Sequence, residues 1–193
     1  MAVRRIYQLR VLLEEIEPPI WRRLQVQDDV TLKRLHDIIQ IAMGWTDSHL
    51  FEFEWDGIVY GVPDPEWEDD RTVHPASDCR LRDVLTQPGE SILYRYDFGD
   101  NWVHDVRLEE ILEPSAVASY PICVEGARAC PPEDCGSVPG YHEFCEAMLD
   151  EAHPEHEEMR DWYGGPYDPE AFDLSAVNRA LQRYRPRRSA RSG

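Results

Sequence analysis

From Tyr7 onward hydrophobic and polar residues alternate: Tyr7, Leu9, Val11 and Leu13 share one face of an extended segment, with Gln8, Arg10 and Glu14 on the other. A period of two predicts a half-buried strand. Pro18 and Pro19 punctuate it, and Ile20, Leu24 and Val26 predict a second strand that folds back as an antiparallel hairpin. The period then lengthens. Leu32, Leu35, Ile39, Ala42 and Met43 recur at helical spacing, with Thr31 placed as N-cap, Val30 placed to pack on Leu35, and Gly44 placed to stop the helix. In HLFEFEWDGIVYG, Leu50, Glu52 and Glu54 alternate with Phe51, Phe53 and Trp55 before the Asp56-Gly57 turn, so strands are expected on both sides. Residues 62–75 are polar, acidic and proline-bearing, the composition of a long surface loop. Leu81 to Leu85 predicts one helical turn, and Ile92 to Phe98 and Trp102 to Ile111 predict strands. A proline-broken region follows through Pro139. Tyr141, Phe144, Cys145 and Met148 then fit one helix, and Phe172, Leu174, Val177 and Leu181 a last one.

These elements predict an α+β fold: a largely antiparallel sheet, one early helix packed on it, and helices clustered at the C-terminal end. No internal repeat is present, and nothing shows the regular βαβ alternation of a nucleotide-binding fold. At 193 residues with 42% hydrophobic content the chain supports one substantial core. Residues 1–184 are expected to form a single domain, and residues 185–193 a basic, disordered tail.

The stretch YDFGDNWVH, Tyr96 to His104, resembles at its DFG the magnesium-binding triplet of protein kinases. The rest of that machinery is missing: there is no Gly-rich phosphate loop, no matching lysine and no HRD-like catalytic loop. A hairpin explains the stretch better. With Gly99, Asp100 and Asn101 as a three-residue loop, Phe98 faces Trp102, Tyr96 faces His104 and Tyr94 faces Val106, which gathers the apolar side chains on one face. That register sets Arg95 opposite Asp105 on the other face. It also places Asp97 on the polar face and His104 on the apolar one, pointing apart.

Charge narrows the function classes. The formal net charge is -18, from 38 acidic against 20 basic residues. Such a field repels phosphate backbones, so direct nucleic-acid binding is expected only through the tail that carries Arg183, Arg185, Arg187, Arg188 and Arg191. No run approaches the ~18 apolar residues of a membrane span, and MAVRRIYQLR lacks the apolar core of a secretory signal, so a cytoplasmic location without membrane association is expected. The five cysteines are then expected to be reduced.

Two clusters carry candidate chemistry. Cys123, Cys130 and Cys135 lie in a Gly/Pro-rich loop, but gaps of six and four residues do not supply the close thiolate pairs that structural zinc prefers. Buried free thiols are the simpler reading, with a zinc site as the alternative. His49, His104, Glu133 and Asp134 combine imidazole and carboxylate, the donor set of a metal or acid-base site, while Asp134 alone also suits a turn cap. With Asp100, Trp102 and Tyr141 they make up the expected binding face. No G-x-S-x-G, HExxH or P-loop occurs, and no cofactor is expected.

PPIWRR, the helix TLKRLHDIIQIAMGW with SHLFEF after it, YDFGDNWVHDVRLEE, ACPPEDCGSVPGY and the late DPEAFD occur here in order. Together they resemble the plasmid pRiA4b Orf-3-like family, which includes the insertion-element passenger protein TnpR. Ser137 stands where that family usually shows a second glycine. The resemblance implies a compact α+β domain of plasmids and mobile elements with no established activity; no serine-recombinase pattern supports a resolvase role. The function expected is a non-enzymatic, acidic protein-interaction module that takes a basic protein or peptide in the groove between its sheet and the PPEDC loop. The alternative is a metal-binding protein or metal-dependent hydrolase using the His/Asp/Glu cluster.

Overall fold

Alternating apolar residues build two long strands, β1 (Ile6–Leu13) and β2 (Ile20–Gln27), paired antiparallel with Leu9 opposite Leu24 and Val11 opposite Arg22. The computed structural model describes residues 5–63 and 72–184. Helix α1 (Leu32–Met43) begins at Thr31, whose side chain accepts the Arg34 amide, and ends at Gly44 with φ 95°. Both ends follow from ordinary capping chemistry. Strands β3 (Phe51–Trp55) and β4 (Ile58–Gly61) flank a turn in which Asp56 and Gly57 both have positive φ. Then follow β5 (Val73–Pro75), the single turn α2 (Leu81–Val84), β6 (Ser91–Tyr96), β7 (Trp102–Leu112), β8 (Ile122–Ala127), α3 (Ser137–Leu149), α4 (His156–Tyr163) and α5 (Leu174–Arg183).

The eight strands form one sheet in the order β5-β4-β3-β6-β7-β1-β2-β8, antiparallel except for the β4–β5 pair. The fold is therefore α+β with a mostly antiparallel sheet. Helix α1 lies on the sheet, and the His36 ring stacks 3.7 Å from Phe51. Helix α5 packs against α1 and β8, and α3 against α4. Asn178 of α5 accepts the Cys123 amide and donates to the Cys123 carbonyl, both at 2.8 Å, so its side chain satisfies backbone groups of the edge strand.

Three segments depart from the sequence-based expectation. Val73–Pro75, inside the expected surface loop, adds a short parallel edge strand. Ile122–Ala127 and His156–Tyr163 form β8 and α4 where no element is predicted. Both are short, and β8 carries Gly126 and Ala127 with a register shift against β2, so neither shows a clean period. The expected disorder of the tail falls outside the described residues.

The β6–β7 hairpin corrects its predicted register. Tyr96 lies opposite Trp102 and Tyr94 opposite His104, with five residues, 97–101, in the loop. Asp97 and Asn101 both take positive φ, and the Asp97 carbonyl accepts the Asn101 amide at 2.6 Å. The slip of two residues keeps every ring on its predicted face except Phe98, which is exposed. Arg95 now sits opposite Val103 and pairs at 2.6 Å with Glu52 of β3 instead of Asp105.

Candidate functional site

Three loops meet at one end of the sheet: residues 45–49 after α1, residues 97–101 between β6 and β7, and residues 131–136 ahead of α3. Trp45 Nε1 donates to the Pro131 carbonyl at 2.9 Å, which pins the PPEDC loop to the helix end. Glu133 accepts from the Thr46 amide at 3.2 Å, from the Thr46 hydroxyl and from the Tyr96 hydroxyl at 2.5 Å. Burial pushes the Glu133 carboxyl up, but these hydrogen bonds outweigh it and hold the group below the usual carboxylate range. Tyr96 shifts upward through burial first and the adjacent Glu133 second, so it remains a donor. Asp100 accepts the Gly136 amide at 3.2 Å and ties the second loop to the third.

Within this junction His49 Nε2 lies 3.1 Å from Asp134 Oδ1 and 3.6 Å from Asp97 Oδ2. The three ligand atoms all fall within 4.8 Å of one another. Asp97 is only 6% exposed. Its Oδ1 accepts the Gly99 amide at 2.9 Å and the Asp100 amide at 3.4 Å. The sequence reading set this carboxylate on a water-facing side of the hairpin; the left-handed Asp97 conformation instead turns it inward. The signal was the residue type, since aspartate tolerates left-handed backbone and bonds the amides that follow it.

The other predicted residues separate into different environments. Trp102 and His104 are core residues, 1% and 0% exposed, and His104 meets Trp45 edge-on at 5.4 Å. Tyr141 of α3 hydrogen-bonds the Tyr167 hydroxyl at 3.1 Å. His49 and Asp134 come together, Glu133 and Asp100 sit beside them, and His104 does not join them. All five cysteines are free thiols, and among the described residues no cysteine enters a group able to hold a metal. Burial, and then Asp100, pushes the Cys135 thiol up to about 12, which keeps it protonated at neutral pH.

A second histidine cluster explains how the 45–49 loop is held. His36 Nδ1 meets the Tyr94 hydroxyl at 2.8 Å and Nε2 meets Asp47 Oδ1 at 2.7 Å. Gln40 donates to Tyr94 at 3.0 Å and accepts the Asp47 amide at 3.0 Å. Burial pushes the His36 pKa down, and its hydrogen bond holds the Asp47 carboxyl low. Both ring nitrogens of His36 are partnered, so this network acts as a lock on the loop.

His104 makes acid sensitivity part of the core. Burial pushes its pKa down to about 4, despite hydrogen bonds that favour the proton. An unfolded imidazole titrates near ~6.5. Between these values the unfolded chain binds more protons, so this contribution is complete above the unfolded value and is lost as the pH falls through that window. Urea unfolding should show a loss of roughly 2 kcal/mol between pH 7 and pH 5 from this ring. His104→Phe is expected to flatten that part of the profile, and an unchanged slope would contradict it.

Beside Asp134 a groove of about 330 Å³ runs between the PPEDC loop and the α3–α4 pair. Phe144, Met159 and Trp162 form its apolar wall, with Asp134, Glu143 and Glu155 around them. Trp162 stands edge-on to Phe144 at 5.7 Å and is 47% exposed.

Residues 5–176 match the family described as plasmid pRiA4b ORF-3-like protein. The chain belongs to that family. This ORF-3-like protein is similar to the uncharacterized protein y4hQ of Sinorhizobium fredii (strain NBRC 101917 / NGR234), with 40% identity over 177 residues, covering 91% of this chain and 90% of y4hQ. It is also similar to a crystal structure of a protein of unknown function, MM3350 from Methanosarcina mazei Go1. The two share 40% sequence identity and superpose with a TM-score of 0.82, covering 91% of this chain and 98% of that one. Ser137, the departure noted within the ORF-3-like pattern, has φ 68°, a conformation glycine adopts without strain. Among the described residues no helix is long and apolar enough to cross a membrane.

Proposed function

We propose that this ORF-3-like protein is an acidic interaction module that receives a basic segment of a partner protein in the groove beside the PPEDC loop. The observation that carries this reading is a half-exposed tryptophan, Trp162, standing among Asp134, Glu143 and Glu155 on a chain of net charge -18. An aromatic face ringed by carboxylates suits a guanidinium or ammonium group with an apolar stem. The long-range acidic field would steer such a segment inward. The groove lies between the loop and α3–α4, not between the loop and the sheet, because Glu133, Trp45 and Asp100 bind the loop down onto the sheet end.

A larger cavity of about 460 Å³ on the other side of the loop is lined by Arg22, Trp45, Cys130 and Phe172. Glu133 and Asp173 also line it, but Glu133 is already engaged by Thr46 and Tyr96, and the buried Arg22 guanidinium opposes a second cation there.

Calorimetry with capped short peptides carrying a single arginine, or citrulline in its place, tests the reading. The arginine peptide should bind more tightly at low than at high salt. Trp162→Ala, and separately Glu143→Gln with Glu155→Gln, should each weaken it about tenfold. Glu113→Gln, on an exposed residue away from the groove, serves as the control. Equal binding of both peptides, or an unaffected Trp162→Ala variant, would reject the groove as the site.

A further inference from the structure

We propose that His49, Asp97 and Asp134 form a binding site for a divalent cation of the manganese–zinc class, built where the three loops converge. One donor pair already stands at the spacing of ligands around one ion, the second is a few tenths of an ångström wider, and all three donor atoms lie within 4.8 Å of one another, so a small closure brings them onto one ion. Two donors bound at ~2.1 Å, at tetrahedral or octahedral angles, lie about 3.0–3.4 Å apart. His49 Nε2 stands 3.1 Å from Asp134 Oδ1 and 3.6 Å from Asp97 Oδ2.

The independent sign of a ligand is His49 Nε2 itself. This nitrogen is shielded from solvent and makes no hydrogen bond among the described residues. Asp134 Oδ1 is close enough but lies outside hydrogen-bonding geometry. A buried, unpartnered polar atom costs stability, whereas a metal ion would satisfy it. The charge balance points the same way. Asp97 and Asp134 approach one imidazole, and no lysine or arginine among the described residues lies within 4.0 Å of either carboxylate. Two carboxylates converging in a strongly acidic chain repel each other unless a cation sits between them.

The loops also orient the donors in advance. Asp97 spends Oδ1 on the Gly99 and Asp100 amides, which leaves Oδ2 aimed at His49. Asp134 follows Glu133, which Thr46 and Tyr96 clamp. Such outer hydrogen bonds hold ligating groups at fixed angles. One imidazole with two carboxylates suits a first-row divalent ion, the imidazole favouring Zn2+ and the carboxylates accommodating Mn2+, better than Ca2+, which takes six to eight oxygens. Three protein donors leave coordination positions open, and Asp134, with 70% of its side chain exposed, places them toward solvent.

The full chain, stripped with a chelator, is titrated with Mn2+ while the free ion is followed by electron paramagnetic resonance, and with Zn2+ by calorimetry. One ion per chain is expected, with micromolar affinity and a metal-dependent rise in the thermal midpoint. Asp97→Asn keeps an acceptor for the Gly99 amide, and His49→Gln alters a partly exposed side chain; each should weaken Mn2+ binding by at least tenfold. Trp162→Ala should bind Mn2+ as the parent does, which separates this site from the groove. A parent chain that binds neither ion more tightly than millimolar would overturn the proposal. So would a stoichiometric site that persists in folded Asp97→Asn and His49→Gln.

Discussion

Replacing Arg22 with alanine is expected to lower the unfolding free energy by about 3–5 kcal/mol, measured by urea denaturation at neutral pH. Arg22 is 2% exposed, yet it occupies the core-facing row of β2 between Ile20 and Leu24. Its Nε donates to the Ala42 carbonyl at 2.8 Å, and Nη1 donates to Trp21 at 2.8 Å and to Ala127 at 2.7 Å. Nη2 donates to Arg128 at 2.8 Å, and Phe172 covers the guanidinium at 4.3 Å. One side chain thus joins β2, the last turn of α1 and the end of β8. Burial pushes its pKa down, but a guanidinium stays charged at any working pH. Its charge is met by carbonyl dipoles, including that of Ala42 at the negative end of α1.

Alanine would leave a cavity and four carbonyls short of a donor. Lysine is expected to recover less than half of the loss, because one ammonium cannot span carbonyls on three elements. Parent-like stability in Arg22→Lys would show that the charge matters more than the fork geometry.

Gly140→Ala is the second large effect, a loss of roughly 3 kcal/mol or more. A Cβ at that position would lie 2.0 Å from the Cys135 carbonyl oxygen and 2.9 Å from its carbon. The Gly140 amide donates to the Gly136 carbonyl at 3.0 Å, so the first turn of α3 is folded tightly onto the loop. Backbone cannot yield as a flexible side chain does, so the PPEDC loop must shift. Asp134 would move with it. Gly140→Ala should therefore also impair binding of the arginine peptide and of Mn2+. Differential scanning calorimetry with the two titrations checks this, and a parent-like melting temperature would contradict the close approach.

These residues mark what local sequence can and cannot disclose. Helix α1 was legible from end to end, because Thr31 and Gly44 act within a few residues of themselves. The faces of β1, β2, β3, β6 and β7 were legible for the same reason: alternation depends only on neighbours along the strand. The β6–β7 register was not. Two loop lengths of equal parity place the rings on the same face, and the left-handed Asp97 that decides between them is held by a hydrogen bond inside the loop, donated by the Gly99 amide to the Asp97 carboxylate. Strand β8 escaped notice because its identity depends on pairing with β2 and on the Asn178 amide, both distant in the chain.

Of the candidate site, His49, Asp100, Glu133 and Asp134 could be named from residue type alone, as donors in polar loops. Their grouping could not be, since the three loops are separated by long stretches of chain. Trp102 and His104 carry the same chemical promise in one dimension, but burial makes them core.

Hydrophobic period, capping residues and charge by themselves determined an acidic α+β domain, its early helix and the inward faces of its main strands, because each of these is a short-range property. Which carboxylates converge on His49, why an arginine lies in the core, and where a groove opens beside the PPEDC loop were decided only by the tertiary structure. Those features arise from close approach between segments remote in sequence, where sub-ångström packing and the loss of water set the chemistry.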